Sequence, residues 1–405
     1  MKILQIDVAC NVTSTGRIAE GIGREVIADG GENYIAYGRY GAESKSQSFR
    51  IGTDFDVVLH GLYSRLFDRH GFASRRVTKN LIKRIDQIKP DIIHLHDIHG
   101  YYVNIAILFS YIKNSKIPVV WTQHCCWAFT GHCAHFDFVH CDKWKEECHH
   151  CIQKKEYPAS FLVDNSRNNY RRKKKLFTHV QNMTVVTVSE WLGKLAEQSF
   201  LSEYPIKTLH NGVNVEAFKY SESNIRAKYN IQDKFLILGV ASPWAKIKGL
   251  ADFIKLKKIC GNDIAIMLVG LNEFQMTSIP CDIIGIRKMD SVEDLAKMYS
   301  AADLFFNPIW EDSFSTTNLE SLACGTPVAT YRTGGSVEAV SEDTGFILAQ
   351  GDVQGVLNII RRVKDSGKGF YLNSCRSRAL NHFRQEDRFK EYIDIYKSML
   401  KTNKR

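Results

Sequence analysis

Apolar residues along this chain fall in short continuous runs, and between the runs they recur every three or four positions. Runs of the first kind occupy residues 2–8, 34–37, 91–96, 118–122, 184–189 and 206–209, and a second series occupies 235–241, 264–270, 282–284, 304–306 and 327–330. Continuous apolar strands alternating with helices predict parallel sheets covered on both faces. The segment 291–302 predicts a helix: Ser291 and Asp294 have the spacing of a capping box, and Val292, Leu295, Ala296 and Tyr299 share one face. Near the end of the chain Phe389, Tyr392, Ile393, Tyr396 and Leu400 form an apolar stripe at helical spacing, which requires a neighbour to pack on.

The two series of strands part near His210-Asn211-Gly212-Val213-Asn214, where Asn-Gly marks a turn. A chain of 405 residues also exceeds what one hydrophobic core usually serves. The expected fold is α/β, with two Rossmann-like domains whose parallel sheets face a central cleft. Residues 1–212 form the first domain, with a Cys-rich insertion at about 125–155, and residues 213–382 form the second. Residues 383–405 are expected to form a helix packing back on the first domain. In sheets of this kind ligands gather at the carboxyl ends of the strands.

Hydrophobic residues make up 44% and charged residues 24% of the chain, which excludes wholesale disorder. No apolar run approaches the ~20 residues a membrane-crossing helix needs. The N-terminus opens on a strand and not on a charged leader with an apolar stretch, so a cytoplasmic protein with its 11 cysteines reduced is expected. The net charge of +10 favours an anionic partner. Its densest source, Arg171-Arg172-Lys173-Lys174-Lys175 before Leu176 and Phe177, reads either as a solvated helix face or as a patch for the anionic inner face of a membrane. No nucleic-acid-binding motif accompanies the charge, so nucleic acid is not an expected partner.

Candidate chemistry concentrates after particular strands. From Asn307 to Val328 the chain reads as strand, polar turn, short helix, Gly-Thr-Pro turn and strand. Asp312 and Glu320 are two carboxylates of this stretch eight residues apart, with Glu311 adjacent to the first, and Ser315, Thr316 and Thr317 open the helix, whose free N–H groups can hold a phosphate. A second block, Gly239 to Leu250, follows a strand and carries Ser242, Lys246 and Lys248. After the first strand, Val12-Thr13-Ser14-Thr15-Gly16-Arg17 offers a close backbone approach at Gly16. Gly21-Ile22-Gly23 lacks the third glycine of a dinucleotide fingerprint, Val26 standing in its place, and reads as helix packing. His124 lies just past the strand 118–122, and His96 and Asp97 end the strand before it. Cys133, Cys141, Cys148 and Cys151 are spaced C-x7-C-x6-C-x2-C among five histidines, which in a reduced compartment suits a structural zinc; buried or idle thiols are the alternative.

With these blocks the chain resembles the retaining nucleotide-sugar glycosyltransferases of family 4, which have the GT-B fold, and within them the bacterial branch that builds capsular, exopolysaccharide and lipopolysaccharide sugars. The resemblance covers nearly the whole chain. It is strongest over 239–335 and weakest over 37–89. It implies that Glu320 binds the ribose hydroxyls and that Asp312 stands where the family has Glu. Of the Arg and Lys that grip the donor diphosphate, Lys248 matches the Lys, Ser242 occupies the Arg position, and Lys246 is a nearby second charge. Gly16 would approach the donor phosphates, and His124, with Asp312, would orient the donor sugar. The implied reaction is transfer of a sugar, with retention, from a nucleotide diphosphate to a glycan or lipid-linked glycan acceptor, without a cofactor or catalytic metal. The alternatives are a GT-B sugar-nucleotide epimerase and a zinc-dependent interaction module with an inactive donor fold. A glycoside hydrolase would need two carboxylates held across the scissile bond.

Overall fold

The computed structural model describes residues 1–289 and 291–402 and divides them into two compact units. The first comprises Met1–His210 together with the helix residues from Arg388 on, and the second comprises Asn211–Asp387.

The first unit is built on strands β1 (Lys2–Cys10), β2 (Glu32–Gly41), β3 (Gln47–Arg50), β4 (Ile92–Leu95), β5 (Val119–Gln123), β6 (Met183–Thr187) and β7 (Ile206–Thr208). They form one parallel sheet in the order β3-β2-β1-β4-β5-β6-β7. Its helices are α1 (Thr13–Ala28), α2 (Asp54–Phe67), α3 (Arg75–Ile88), α4 (Ile105–Ser115), α5 (Ser166–Phe177) and α6 (Glu190–Glu197). The second unit has β8 (Phe235–Val240), β9 (Ile264–Val269), β10 (Ile283–Ile286), β11 (Leu304–Asn307), β12 (Val328–Tyr331) and β13 (Gly345–Leu348), all parallel, in the order β10-β9-β8-β11-β12-β13. Around this sheet lie α7 (Ile225–Lys228), α8 (Leu250–Ile259), α9 (Glu273–Ser278), α10 (Val292–Ala301), α11 (Thr316–Ala323), α12 (Val353–Ser366) and α13 (Lys368–His382). The last helix is α14 (Gln385–Thr402).

Every apolar run in the sequence is a strand, and each inner strand except β2 is buried along most of its length. The structure adds two strands that the pattern does not predict, β3 and β13. Both are edge strands. β3 has the sequence QSFR with no buried residue, and β13 points Ile347 at solvent, so neither carries a continuous apolar run. At α10 Ser291 is the N-cap and its hydroxyl accepts from Asp294 N at 3.0 Å, as the spacing predicts.

From Arg388 on, α14 belongs to the first unit's core. Phe389, Tyr392, Ile393 and Tyr396 are buried among Ile3, Ile18, Ile22, Ile92, Val120 and Val186. Gly21 of α1 makes the fit: a Cβ there would stand 2.1 Å from Phe389 Cε2, so the two helices meet where only a hydrogen fits. The Tyr396 hydroxyl bonds His94 Nδ1 at 2.6 Å, and Tyr392 accepts from Thr122 Oγ1 at 3.3 Å.

The basic run of α5 is neither a uniformly solvated face nor a free anion patch. Lys173 is fully buried and donates to Trp127 O at 2.7 Å and Thr130 O at 3.1 Å over the Trp127 ring. Arg171 pairs with Glu147, and Arg172 stacks on Phe72 at 3.8 Å. Three of the five charges therefore hold the protein together. Among the described residues no helix is long and apolar enough to cross a membrane.

Phe389→Ala should cost ~3–5 kcal/mol, the usual penalty for emptying a buried aromatic site, because Gly21 beneath the ring has no side chain to refill it. Urea unfolding of parent and variant measures this. A loss below ~1 kcal/mol would mean that α14 adds little to the core.

Candidate active site

In both sheets the order of strands reverses once, between β1 and β4 and between β8 and β11. At such a point neighbouring connections leave in opposite directions and open a crevice at the carboxyl ends. The sequence candidates lie around these two crevices.

In the second unit, β8 leads into Ser242, which is exposed, then a single 3-10 turn, Lys246–Lys248, and α8. The turn closes at Gly249, with φ +75°, where a Cβ would lie 2.2 Å from Pro308 O. Only glycine permits both that backbone and that contact. The loop after β11 is thereby pressed against the loop after β8. Trp310 N donates to Ile247 O and Trp310 Nε1 to the buried Asp252 Oδ2, both at 2.8 Å, while Thr333 Oγ1 donates to Ile309 O. This clamp brings Lys248 Nζ to 3.8 Å from Asp312 Oδ2, with both side chains partly exposed. Lys246 is exposed. Glu311, the adjacent acid, is buried. The Ser313 hydroxyl, next in sequence to Asp312, is buried and has no hydrogen-bond partner among the described residues. An unmet group of this kind costs ~1–3 kcal/mol until a ligand or water meets it.

Helix α11 starts at this crevice. Asn307, the last residue of β11, donates to Ser315 Oγ at 2.9 Å and Asn318 Oδ1 at 2.8 Å. Asn318 in turn donates to Ser336 O at 3.0 Å, and Ser315 Oγ lies 3.1 Å from Thr317 Oγ1. This buried network fixes the helix start, where Thr316 and Thr317 are half-buried and Ser315 is the N-cap. About one turn on, Glu320 accepts a hydrogen bond from the buried Tyr299 hydroxyl at 2.8 Å. Burial, and then the Glu320 charge, raise the Tyr299 phenol well above its usual range, so it stays a donor. Sequence reading treats Tyr299 only as part of an apolar face and misses this role.

In the first unit, Gly16 is buried inside the first turn of α1, a Cβ there standing 3.0 Å from Ala9. It seats the helix on the end of β1, and the turn's exposed residues are Thr13 and Ser14. His124 is held by a chain of bonds whose proton positions follow from Gln5. Gln5 Nε2 donates to Ala19 O at 2.7 Å and Asn33 Oδ1 at 3.2 Å, so its Oε1 is an acceptor and His96 Nε2, at 2.9 Å, must carry a proton. Burial pushes His96 and His124 down and keeps both rings neutral. His96 Nδ1 therefore accepts from His124 Nε2 at 3.2 Å, which leaves His124 Nδ1 unprotonated. Beside this chain Asp97 N donates to Asp7 Oδ1 at 3.2 Å, and Asp7 Oδ2 is buried without a hydrogen-bond partner among the described residues. Burial and then Asp97 push Asp7 up to about 7. Burial also acts to raise Asp97, but His99, 3.2 Å away, outweighs it and holds that carboxyl at about 2.

The four cysteines are all free thiols. Cys133 hydrogen-bonds Cys151, and that bond, outweighing the burial that acts to raise it, lowers the Cys151 thiol to about 7. Cys148 Sγ is engaged by Gly131 N at 3.2 Å. Among the described residues the three donors whose ligating atoms fall within 4.8 Å of one another are Asp97, His99 and Cys125, and the cysteine quartet is not such a set. The loops that carry these thiols are also tied through their backbones, Thr130 Oγ1 donating to Cys133 O and Cys151 N to Asp164 Oδ2.

A pair of parallel Rossmann-like sheets, each with its candidate residues at the carboxyl edge beside the order reversal, is the GT-B architecture. Known proteins agree. The family described as Glycosyltransferase Family 4 matches residues 16–217, and the one described as Glycosyl transferases group 1 matches 233–365. The chain belongs to these glycosyltransferases and has the GT-B fold. It is 27% identical over 255 residues to N-acetyl-alpha-D-glucosaminyl L-malate synthase of Bacillus anthracis, covering 60% of this chain and 65% of that protein. It is 24% identical over 238 residues to the capsular polysaccharide biosynthesis glycosyltransferase CapM of Staphylococcus aureus, covering 54% and 62%. These matches span less than two thirds of the relatives' own lengths. The solved structure of Anabaena Alr3699/HepE in complex with UDP superposes with a TM-score of 0.70 at 15% identity, covering 98% of this chain and 100% of that one, and the same protein is also solved with UDP-glucose.

The Asp7 carboxyl gives a pH test. Its folded value of about 7 lies above the ~3.9 of an unfolded aspartate, so the folded state keeps a proton that the unfolded state releases. Stability should fall as pH climbs from about 4 to about 7 through this group. Asp7→Asn cannot ionise, so its melting temperature relative to the parent should rise between pH 5 and pH 8. A constant difference across that range would mean that Asp7 is already charged in the folded protein.

Proposed function

We propose that the protein transfers a sugar from a nucleotide diphosphate to a hydroxyl of a glycan or lipid-linked glycan, with retention at the anomeric carbon, in the making of a surface polysaccharide. The observation that carries this reading is the second unit's crevice: Lys248 set against Asp312 beside the start of α11, with Glu320 oriented by Tyr299. The relatives' names support the substrate class, one acting in capsule biosynthesis and one structural neighbour binding UDP and UDP-glucose.

The roles follow from charge. As the sugar–phosphate bond breaks, the diphosphate gains negative charge. Lys248 and the N–H groups of Thr316 and Thr317 stabilise it as prepositioned donors. Lys246 and Ser242, both exposed on the same loop, add a second cation and a hydroxyl. Glu320 accepts from the ribose hydroxyls, as a carboxylate fixed by a tyrosine can. Asp312, one methylene shorter than glutamate, receives a hydroxyl of the donor sugar once phosphate has taken Lys248 from it. In the first unit the unprotonated Nδ1 of His124 accepts from a sugar hydroxyl and does not donate to one. The exposed turn at Thr13 and Ser14, seated by Gly16, offers N–H groups to phosphate. No side chain is assigned as a covalent nucleophile, and the departing phosphate takes the acceptor proton.

Thermal shift with UDP-, GDP- and ADP-sugars tests the donor site. A bound donor at 100 times its Kd should add ~2.7 kcal/mol of stability, and Lys248→Ala and Glu320→Ala should each lose that gain while folding as the parent does. If no nucleotide stabilises the parent, or if both variants respond as it does, the donor site is misplaced. Release of UDP that requires an acceptor separates transfer from epimerisation, and the anomeric proton coupling of the product reads retention directly.

A further inference from the structure

Helix α2 is amphipathic the wrong way round for a globular protein. Its buried residues are His60, Gly61 and Ser64, while Phe55, Val58, Leu59 and Leu62, spaced i, i+3, i+4 and i+7, form an apolar stripe facing solvent. Phe55 is 69% and Val58 65% exposed. The orientation is enforced from the inner side: His60 Nδ1 meets Ser74 Oγ at 2.8 Å, and His60 Nε2 accepts from Gly71 N at 3.1 Å. The stripe does not stand alone. Phe161 N donates to Arg65 O at 2.9 Å, which lays a second exposed apolar segment, Phe161 (60%) and Leu162 (70%), along the end of α2.

Charge identifies what would cover this surface. Arg65 continues the stripe on α2, and α3, which begins beside α2, shows Arg75, Arg76, Lys79, Lys83 and Arg84 to solvent. Over residues 54–89 eight Lys and Arg face four Asp. Three of those acids are already engaged: Asp54 with Arg50, Asp56 in the cap of α2 and Asp68 with His132. A protruding apolar stripe bordered by cations in excess of the acids, Arg76 being paired with Asp56 at 3.8 Å, matches the boundary of an anionic bilayer, where apolar side chains enter the acyl region and cations meet the headgroups. We propose that α2 and the segment at Phe161–Leu162 form a docking surface for an anionic membrane. This deepens the lipid-linked part of the reading above, since an acceptor carried by a lipid is met at that boundary. The docking surface is separate in sequence from the basic run of α5, in which Lys173 is buried while Arg171, Lys174 and Lys175 are exposed.

Flotation with vesicles of phosphatidylcholine, alone or mixed with phosphatidylglycerol, tests it. The parent should float with the mixed vesicles and far less with the neutral ones. Leu59→Glu/Leu62→Glu should reduce its partitioning about tenfold or more, since apolar area is lost and two carboxylates meet an anionic surface. Phe161→Ala/Leu162→Ala, away from the helix, should weaken binding as well and keeps the test decisive if the first variant fails to fold. Equal flotation of parent and both variants, or no flotation of the parent, overturns the proposal. So does a parent dimer by light scattering that Leu59→Glu/Leu62→Glu converts to monomer, for then a second copy covers the stripe. The thermal response to nucleotide, read on the same samples, should be unchanged in all variants, so loss of vesicle binding and failure of the donor site remain separate results.

Discussion

The contact between Gly249 and the carbonyl of Pro308 governs the second unit. A parallel sheet that reverses its order sends the connections after β8 and β11 away from each other, so nothing in the topology alone requires their loops to touch. The glycine, in a left-handed conformation with no room for a Cβ, lets the two loops close to backbone distance. Trp310 then bridges them with both of its N–H groups. The approach of Lys248 to Asp312 follows from that clamp. An ion pair of this exposure contributes only ~0–1 kcal/mol, so it is not what holds the loops. It is weak enough to exchange when a diphosphate, with more charge than one carboxylate, arrives.

The two carboxyl-edge crevices differ in what they hold. The second unit offers cations, a helix start and an oriented carboxylate, the set that an anionic ligand with vicinal hydroxyls needs. The first unit offers groups whose protons are fixed by burial and by their neighbours. Gln5 sets the tautomer of His96, which sets that of His124, over bonds of 2.9 and 3.2 Å. Asp7 keeps a proton near neutral pH because Asp97, backed by His99, takes the charge of the pair. A phosphate needs positive charge, whereas a neutral hydroxyl needs an acceptor at a defined place. The division between the units follows those two needs.

Much of this was legible in the sequence because inner parallel strands are buried on both faces and must be continuously apolar. β3 and β13 were not legible, since an edge strand can be polar, as Gln47 and Ser48 are, or half exposed, as Ile347 is. The candidate residues of the second unit could be placed because each directly follows a strand. Tyr299 could not, because a tyrosine on an apolar face looks the same whether or not its hydroxyl is used. One residue of the α5 run was hidden for a related reason. Periodicity cannot show that Lys173 turns inward, since what compensates its burial is a pair of carbonyls at Trp127 and Thr130 far away in sequence.

Helix α2 shows the limit of hydrophobic periodicity most plainly. The rule that the apolar face of a helix turns inward assumes that burial is the strongest demand on it. Here the inner face carries a histidine whose two nitrogens are both engaged, one with Ser74 and one with the backbone of Gly71. Turning the helix over would bury the apolar stripe but would strand those polar groups and the turn they hold. Burying such a stripe would gain several kcal/mol, and each polar group left unmet costs ~1–3 kcal/mol, so breaking the network offsets much of that gain. The polar face therefore fixes the helix to the protein, and the apolar face stays outside for whatever the protein meets.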